Sequence, residues 1–338
     1  MIGISIGSQS TVIGVLKNSN VEIILSETSS RGVPTISSFA DRQRLFGDQA
    51  LSTIKSNFNR SVLYPNRWLG MQPDWPHLKE ESKFSTSQIT VDKHNRVGFE
   101  INYKGEQDVY YPENIMGLYF NKLKQNWKKA GYDTKEVVVS VPDYYNSYER
   151  KAMVDALSIA DLNCINLINE SSAIAMNYGL FRRTQFEENK PRIVAFVDMG
   201  QSKTTISFSS FTKNVQKVIS VTSERFLGGR DLDYLLLEHF SNVFKKKFGS
   251  NPMNSAKCRL RLIDAIAKTR KILTSNKEAS LSVESLMDDE DLNCMLTRDE
   301  FEQIVAPVLE KFRNIIKSSL NNALNEASKY NLLIFLRN

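Results

Sequence analysis

The chain opens with alternating apolar and polar residues, a pattern that predicts a meander of strands over residues 1–40. The first apolar run extends from Ile2 to Ile6, a second spans 12–16 and a third spans 21–25. Gly7-Ser8-Gln9 separates the first two runs and predicts a tight turn. We therefore expect a hairpin of two antiparallel strands at the start of the chain.

A second strand–turn–strand pattern lies past the middle of the chain. Apolar runs at 193–197 and 206–208 flank the turn Asp198–Thr205, in which Gly200-Gln201-Ser202 nearly permutes Gly7-Ser8-Gln9. Small residues leave backbone N–H groups unobstructed, which suits a phosphate. An ordinary polar hairpin turn would give the same pattern. Because the device occurs twice, we predict two related lobes that face one ligand.

Strands alternate with helices through the rest of the first half, which is typical of an α/β lobe. The predicted elements are a helix at 112–129, a strand at 137–141, a helix at 146–161, a strand at 165–168 and a helix from Glu170. Residues 47–110 are less regular, with one helix near 48–57 and strands near 87–110. We interpret this region as an inserted subdomain.

A charged connector at 181–191 marks the predicted boundary between the lobes. Beyond it the pattern predicts the 193–208 hairpin, a strand at 215–222, helices at 228–249 and 255–275, strands at 279–285 and 293–297, a helix from Thr297 to about 326 and a strand at 332–336. The Gly228-Gly229 pair is either an anion site at a helix N-terminus or a simple helix start.

These patterns give the predicted domain bounds. Lobe I is 1–187, with a core of 1–35 and 111–187 around an insert of about 36–110. Lobe II is 188–338, with a core of 188–227 and about 302–338 around an insert of about 228–301.

The composition is that of an ordinary globular protein, with 338 residues, 41% hydrophobic and 24% charged. No apolar run is long enough for a membrane span, and Met1 leads straight into strand residues, so we expect a cytoplasmic protein without a membrane partner. The net charge is +6, but the basic residues are dispersed among 38 acidic ones, which argues against a nucleic-acid partner. The three cysteines and three histidines have no metal-ligand spacing.

Several segments, in order, resemble the actin-like ATPase superfamily and, within it, the nucleotide-binding domain of the seventy-kilodalton heat-shock chaperones. Residues 2–7 are similar to their first phosphate loop, 141–146 and 168–175 to their connecting segments, and 225–233 to their Gly-Gly-x-Asp-x-Asp turn. The resemblance covers nearly the whole chain. It implies a ribonuclease H-like α/β fold of two lobes, each with a mixed sheet and helices, and a ligand cleft between them.

Segments 190–200 and 280–287 are closer to the larger, divergent branch, the hundred-and-ten-kilodalton heat-shock proteins. Gln201-Ser202 also replaces the Gly-Gly of the ATP-hydrolysing branch. The resemblance implies ATP or ADP as ligand, with Mg²⁺ as a candidate metal. It further implies a seventy-kilodalton heat-shock protein as partner, and unfolded polypeptide clients bound by regions outside this chain.

The turns and the resemblance together assign roles to single residues. The candidate ligand-binding residues are Gly7, Ser8, Gln9, Gly200, Gln201, Ser202, Lys203, Gly228 and Gly229 at the phosphates and Arg270, Lys271 and Thr274 at the nucleoside. Glu170 and Asp198 match catalytic acidic positions, and Asp198 is the candidate metal ligand. Lys203 is either a point charge for a phosphate or a solvated turn lysine.

Other family positions have changed. Ser5, Asn66 and Thr205 stand where the resemblance expects Asp, the catalytic Lys and Asp. Each lost electrostatic contact commonly costs about 10²–10³ in rate, so we expect slow ATP hydrolysis or none. Ala267 replaces a ribose-binding Glu, and the last adenosine loop, expected after 332–336, is missing. The chain is therefore either a fragment or has an adenine pocket open on one side.

Three functions are compatible with these residues. The first is the ATP-binding domain of a nucleotide-exchange co-chaperone and holdase for a seventy-kilodalton heat-shock protein, with weak or no hydrolysis. The second is an active ATPase chaperone or a sugar-kinase relative. The third is a nucleotide-free interaction scaffold, which Ala267 and the missing loop favour.

Overall fold

The computed structural model describes residues 1–18 and 20–329. Within this range, no hydrogen-bonded strand pair joins the part before residue 187 to the part after it. We therefore describe the two predicted lobes in turn, and their bounds stay a prediction. The predicted strand at 332–336 lies outside the described residues.

The elements of lobe I follow the predicted order, with two additions. In chain order they are β1 (Ile2–Ile6), β2 (Ser10–Lys17), β3 (Asn20–Ile24), β4 (Val33–Pro34), β5 (Ile36–Phe39), β6 (Arg44–Phe46), α1 (Asp48–Thr53), β7 (Ser61–Leu63), α2 (Pro76–Ser82), β8 (Gln88–Val91), β9 (Val97–Tyr103), β10 (Glu106–Tyr110), α3 (Pro112–Lys129), β11 (Glu136–Val141), α4 (Ser147–Ile159), β12 (Asn163–Asn169) and α5 (Glu170–Arg182). Strand β7 and helix α2 are the additions. At three and seven residues they are too short to show a period.

The main sheet of lobe I has the order β12–β11–β1–β2–β3, with β4 beside β2. Strand β1 pairs in parallel with β11 and antiparallel with β2, so the predicted hairpin sits near the centre of the sheet. Ile2, Ile4 and Ile6 are buried in a core with residues of α3 and α4, whereas Ser5 faces the opposite side. The insert forms two further sheets, β6–β5–β7 and β10–β9–β8.

The elements of lobe II also match the predicted order. They are β13 (Arg192–Met199), β14 (Thr204–Phe211), β15 (Gln216–Glu224), α6 (Gly229–Phe248), α7 (Ala256–Leu273), β16 (Glu278–Met287), β17 (Glu290–Thr297) and α8 (Arg298–Lys329). Strands β13, β14 and β15 form an antiparallel sheet on which α8 packs. The insert buries one face of α6 and α7 against the β16–β17 hairpin.

Helix α5, the last element of lobe I, packs against the sheet of lobe II. Its Tyr178 ring lies 5.3 Å from the rings of both Phe196 and Phe211 in the sheet of lobe II. Phe186, just beyond α5, stacks on Phe211 at 5.2 Å. The first residue of α5, Glu170, is therefore placed where the lobes meet.

None of the helices within the described residues combines the length and the apolar character that a membrane crossing requires.

Candidate functional site

The two predicted turns close in the same way. The Gly7 N–H donates to the Ser10 carbonyl at 3.0 Å, and the Gly200 N–H donates to the Lys203 carbonyl at 2.9 Å. The hydroxyls of Ser8 and Ser202 are 2.5 Å apart, so the turns of the two lobes touch.

The same turns carry backbone donors that have no partner among the residues that the structure describes. Within residues 1–18 and 20–329, the N–H groups of Gln9, Gln201 and Ser202 have no hydrogen-bond acceptor. Backbone amides in such turns form concave sites for anions. They are available to the oxygens of a ligand.

A cavity of about 980 Å³ lies between the lobes, beside the turns. Tyr64, Phe84 and Lys55 line it from lobe I, and residues of α6 and α7 line it from lobe II. The predicted ligand-binding residues along its wall are Gln9, Gly200, Gln201, Gly229, Arg270 and Lys271, together with the replaced position Ala267. The structure therefore brings half of the twelve predicted residues to one space. The wall does not include Gly7, Ser8, Ser202, Lys203, Gly228 or Thr274.

The Gly228-Gly229 pair differs from the predicted anion site, because its donors are already used. The Gly229 N–H donates to the Gly200 carbonyl at 3.0 Å, and the Arg230 N–H to the Gln201 carbonyl at 2.8 Å. The Gly228 N–H donates to the Asp231 carboxylate at 2.7 Å. The pair thus packs the start of α6 against the second turn and does not present free N–H groups to a ligand.

Lys203 is buried between two carboxylates. Its Nζ donates to Glu170 Oε2 and lies 3.6 Å from Asp198 Oδ2. The side chains of Lys203 and Glu170 are only 11% and 13% exposed, so the solvated turn lysine is excluded. Glu170 comes from the start of α5, and the other two come from the second hairpin, so this ion pair crosses between the lobes.

Burial and charge act in opposite directions on this pair. Burial alone would lower the pKa of Lys203, but the attraction and hydrogen bond of Glu170, with the charge of Asp198, raise it. Burial raises the pKa of the Glu170 carboxyl, and Lys203 offsets part of this rise. Lys203 therefore carries its positive charge at neutral pH.

Asp143 belongs to the same site, although the sequence analysis assigned it no role. Its carboxylate accepts hydrogen bonds from the Ser171 N–H, at 3.2 Å, and from the Ser171 hydroxyl. It thereby caps the start of α5 beside Glu170. The signal for it was an acidic residue that closely follows the buried strand 137–141, where the carboxyl end of a parallel strand commonly carries ligand-binding groups.

The replaced family positions supply no charge. Ser5 is exposed on β1. Asn66 is buried, its backbone carbonyl accepts the Tyr145 hydroxyl at 2.6 Å, and its side-chain oxygen has no partner among the described residues. The Thr205 hydroxyl lies 3.1 Å from the Ser223 hydroxyl.

The donor set does not fit a divalent metal. The described residues contain no cluster of three or more His, Cys, Asp or Glu side chains that could hold an ion. Mg²⁺ is usually held by one or two carboxylates together with waters and substrate phosphates, so the carboxylates of the site must be free to bind it. Asp198, the predicted metal ligand, instead shares the Lys203 ammonium with Glu170.

The nucleoside side of the cavity is basic but mostly paired. Arg270 donates to both carboxylate oxygens of Asp233, at 2.7 and 3.1 Å. Lys271 is exposed at the wall, and Ala267 presents only a methyl group there. Arg270 is therefore held by Asp233, and the ribose acceptor expected at position 267 is absent.

A buried ion triad lies beside the cavity and was not predicted from the sequence. Glu81 accepts hydrogen bonds from Arg67 in lobe I, at 2.8 and 3.1 Å, and from Arg230 in lobe II, at 2.6 and 2.8 Å. All three side chains are at most 3% exposed. Burial would raise the pKa of Glu81, but the two arginines outweigh it and hold it at about 2. No pattern pointed to Glu81, because α2 was not predicted.

The comparisons with known proteins agree on one family. The family model described as Hsp70 protein matches residues 1–335. The chain is 33% identical over 326 residues to a heat shock protein homolog of Lachancea kluyveri, with 95% of this chain and 47% of that protein covered. It is 32% identical over 326 residues to a heat shock protein homolog of Saccharomyces cerevisiae, with the same coverage.

Heat shock protein 88 of Dictyostelium discoideum is 35% identical over 305 residues, which cover 90% of this chain and 39% of that protein. The chain thus spans about half the length, or less, of these curated relatives. The matches confirm the resemblance to the large heat-shock proteins that the sequence segments predicted.

Proposed function

The chain belongs to the Hsp70 protein family, with the two-lobed actin-like fold of its nucleotide-binding domain, and on this premise we propose that it binds ATP or ADP between its lobes. One observation carries the proposal. The cavity of about 980 Å³ is lined by both lobes and ends at turns whose backbone donors have no partner among the described residues. Such a space suits a nucleoside, and the turns suit its phosphates.

Slow hydrolysis or none follows from the same site. Phosphoryl transfer needs positively charged groups beside the phosphates and a positioned water. Ser5, Asn66 and Thr205 supply neither a carboxylate nor an ammonium. Glu170 and Asp198 are retained, but both face Lys203. The alternative of an active ATPase chaperone requires these two carboxylates to position water while they are bound to an ammonium.

We further propose that the chain serves a heat-shock-110-type chaperone that promotes nucleotide exchange on a seventy-kilodalton heat-shock partner and holds unfolded clients through regions outside this chain. A nucleotide that binds the closed conformation of the lobes more tightly would shift the chain toward it, and the partner would bind that conformation. Exchange requires binding rather than cleavage, which matches the altered positions. We propose a cytoplasmic location, in keeping with three free cysteines.

A thermal-shift titration separates this function from the nucleotide-free scaffold. At a ligand concentration about 100-fold above Kd, ATP should add about 2.7 kcal/mol to the free energy of unfolding. Ala267→Trp, which fills the cavity wall, should abolish the shift. Lys268→Trp is the matched control, because that side chain is 73% exposed on the same helix. A melting temperature that ATP leaves unchanged in the wild type supports the scaffold.

The exchange role needs its own experiment. The chain, saturated with ATP, is mixed with a seventy-kilodalton heat-shock protein that carries fluorescent ADP. We expect faster release of the labelled ADP than with the partner alone. An unchanged release rate, with ATP binding intact, would remove the exchange role of this chain and leave the nucleotide site in place.

A further inference from the structure

The Lys203 ammonium occupies the place, within the described residues, where the two retained family carboxylates converge. It binds Glu170 of lobe I and lies 3.6 Å from Asp198 of lobe II. The contact with Glu170 forms between two buried side chains, whereas Asp198 is 44% exposed. Protein side chains thus already supply a cation for these two acids.

A divalent ion would have to compete with the ammonium for the two carboxylates in this arrangement. It would need the oxygens of Asp198 and Glu170, and the ammonium would then be left unpaired beside a doubly charged ion. The hydroxyl of Thr205, a further oxygen donor on the hairpin, is turned to Ser223. The third carboxylate of the site, Asp143, is bound to the N–H and the hydroxyl of Ser171.

The ammonium is also suited to contact a phosphate. Lys has three donors, of which Glu170 takes one and Asp198 faces a second. Lys203 follows Ser202 in the turn whose N–H groups have no acceptor among the described residues. Within the described residues the third donor has no acceptor, which leaves it available to a phosphate bound at that turn.

We propose that Lys203 is a built-in cation that replaces the divalent ion, so that this chain binds the phosphates of a nucleotide without Mg²⁺. The proposal rests on the proposed nucleotide site and names the form of its ligand, the metal-free nucleotide anion. The charge that a bound metal would bring to the phosphates is provided here by the second hairpin itself. Glu170 and Asp198 act as the positioning residues of this ammonium.

Calorimetric titration of the chain with ATP, in EDTA and in Mg²⁺, tests the proposal. The wild type should bind in EDTA with a Kd within about threefold of its Kd in Mg²⁺. Lys203→Met should weaken binding in EDTA by at least about tenfold, and Mg²⁺ should restore part of it, because Asp198 and Glu170 are released. Lys203→Arg, which keeps the charge, should bind in EDTA. Lys213→Met, at an exposed lysine of the same lobe, is the control.

Lys203→Met leaves Glu170 buried without a partner, so the double variant Lys203→Met with Glu170→Gln guards against misfolding. It removes both charges at similar volume and should also lose binding in EDTA. If the wild type binds ATP in EDTA more than about tenfold more weakly than in Mg²⁺, the proposal of a built-in cation is wrong. The proposed nucleotide site would not be affected by that result. An absence of ATP binding in both buffers would overturn both proposals.

Discussion

Gly228 shows how tightly single residues fit where the lobe II loop meets the second turn. A Cβ at this position would lie 2.6 Å from the backbone of Gln201 and from the Ser202 nitrogen. These are backbone atoms in a turn that is held by hydrogen bonds on both sides, so they cannot move aside at low cost.

We therefore expect Gly228→Ala to lower the free energy of unfolding by about 1–3 kcal/mol. Gly200→Ala is the matched control, because the nearest atom to its Cβ would be the Lys203 carbonyl oxygen at 3.7 Å, an ordinary contact. Urea denaturation of both variants measures the difference. Equal stability of the two variants would mean that the backbone of the second turn can shift to accommodate the added Cβ at little cost in free energy.

In the proposed nucleotide site, we expect Ala267 to decide how well the cavity holds a ribose. A carboxylate at this wall position could accept hydrogen bonds from ribose hydroxyls, each with a net contribution of about 0.5–1.5 kcal/mol. Ala267→Glu should therefore tighten ATP binding by about three- to tenfold. The gain should be smaller with 2′-deoxy-ATP, if the 2′-hydroxyl is one of the donors. Calorimetry with the two nucleotides tests this, and an equal or weaker affinity of the variant would place the ribose elsewhere.

Among the elements, α2 has an importance that its seven residues do not suggest. It carries Glu81, which joins Arg67 of lobe I to Arg230 of lobe II in a buried triad. Removing one member of a buried ion pair leaves an uncompensated charge and commonly costs about 3–5 kcal/mol. The helix thereby fastens the insert of lobe I to the start of α6.

The triad gives the stability of the chain a defined pH dependence. The pKa of Glu81 is about 2 in the folded chain, below its ordinary value of 4.5. Because the folded pKa is the lower one, this stabilisation is present above pH 4.5 and is lost as the pH falls toward 2. The amount is about 3 kcal/mol.

Glu81→Gln tests this dependence. We expect it to be less stable than the wild type at pH 7 by about 3–5 kcal/mol, and the gap should shrink between about pH 4.5 and 3. Glu80→Gln is the control on the same helix, because Glu80 is half exposed and pairs with Lys83 on the surface. Denaturant titrations across this pH range provide the data. A gap that stays constant with pH would show that Glu81 is not the group that titrates.

Sequence patterns predicted the elements that have a clear period or a glycine turn. The two hairpins were predicted from alternating apolar and polar residues, and α3 and α4 from helical spacing. In each case the pattern lies within the segment itself. The role of α5 between the lobes could not be predicted, because its aromatic contacts depend on the sheet of lobe II. Helix α2 was missed because only Leu78 gives it a large apolar residue.

In the candidate site too, some features were predictable from the sequence and others were not. The turns and the carboxylates follow from local motifs and the family resemblance, and the structure brings Lys203, Glu170 and Asp198 together. The partners of charged residues were not predictable. Glu81 and Arg230 are 149 residues apart, and the Gly229 N–H is satisfied by the Gly200 carbonyl of a turn that precedes it. Such pairings are set by how the lobes meet.

At the scale of the whole molecule, the lobes are joined by charged contacts around the cavity. The pairs Lys203–Glu170, Arg230–Glu81 and Arg225–Glu149 are buried or nearly so, whereas Lys55–Asp264 is exposed. The exposed pair should contribute at most about 1 kcal/mol, so the buried pairs carry the connection. These ion pairs connect the two lobes on the sides of the cleft.

The central claim is that this cleft holds a nucleotide without cleaving it. Equilibrium ultrafiltration with ATP labelled on the α-phosphate, followed by chromatography of the bound nucleotide, tests both parts in one measurement. The account predicts one nucleotide per chain, recovered as ATP after incubation times that convert the nucleotide of an active seventy-kilodalton chaperone to ADP. Recovery of ADP at a comparable rate, or retention of no nucleotide at all, would contradict it.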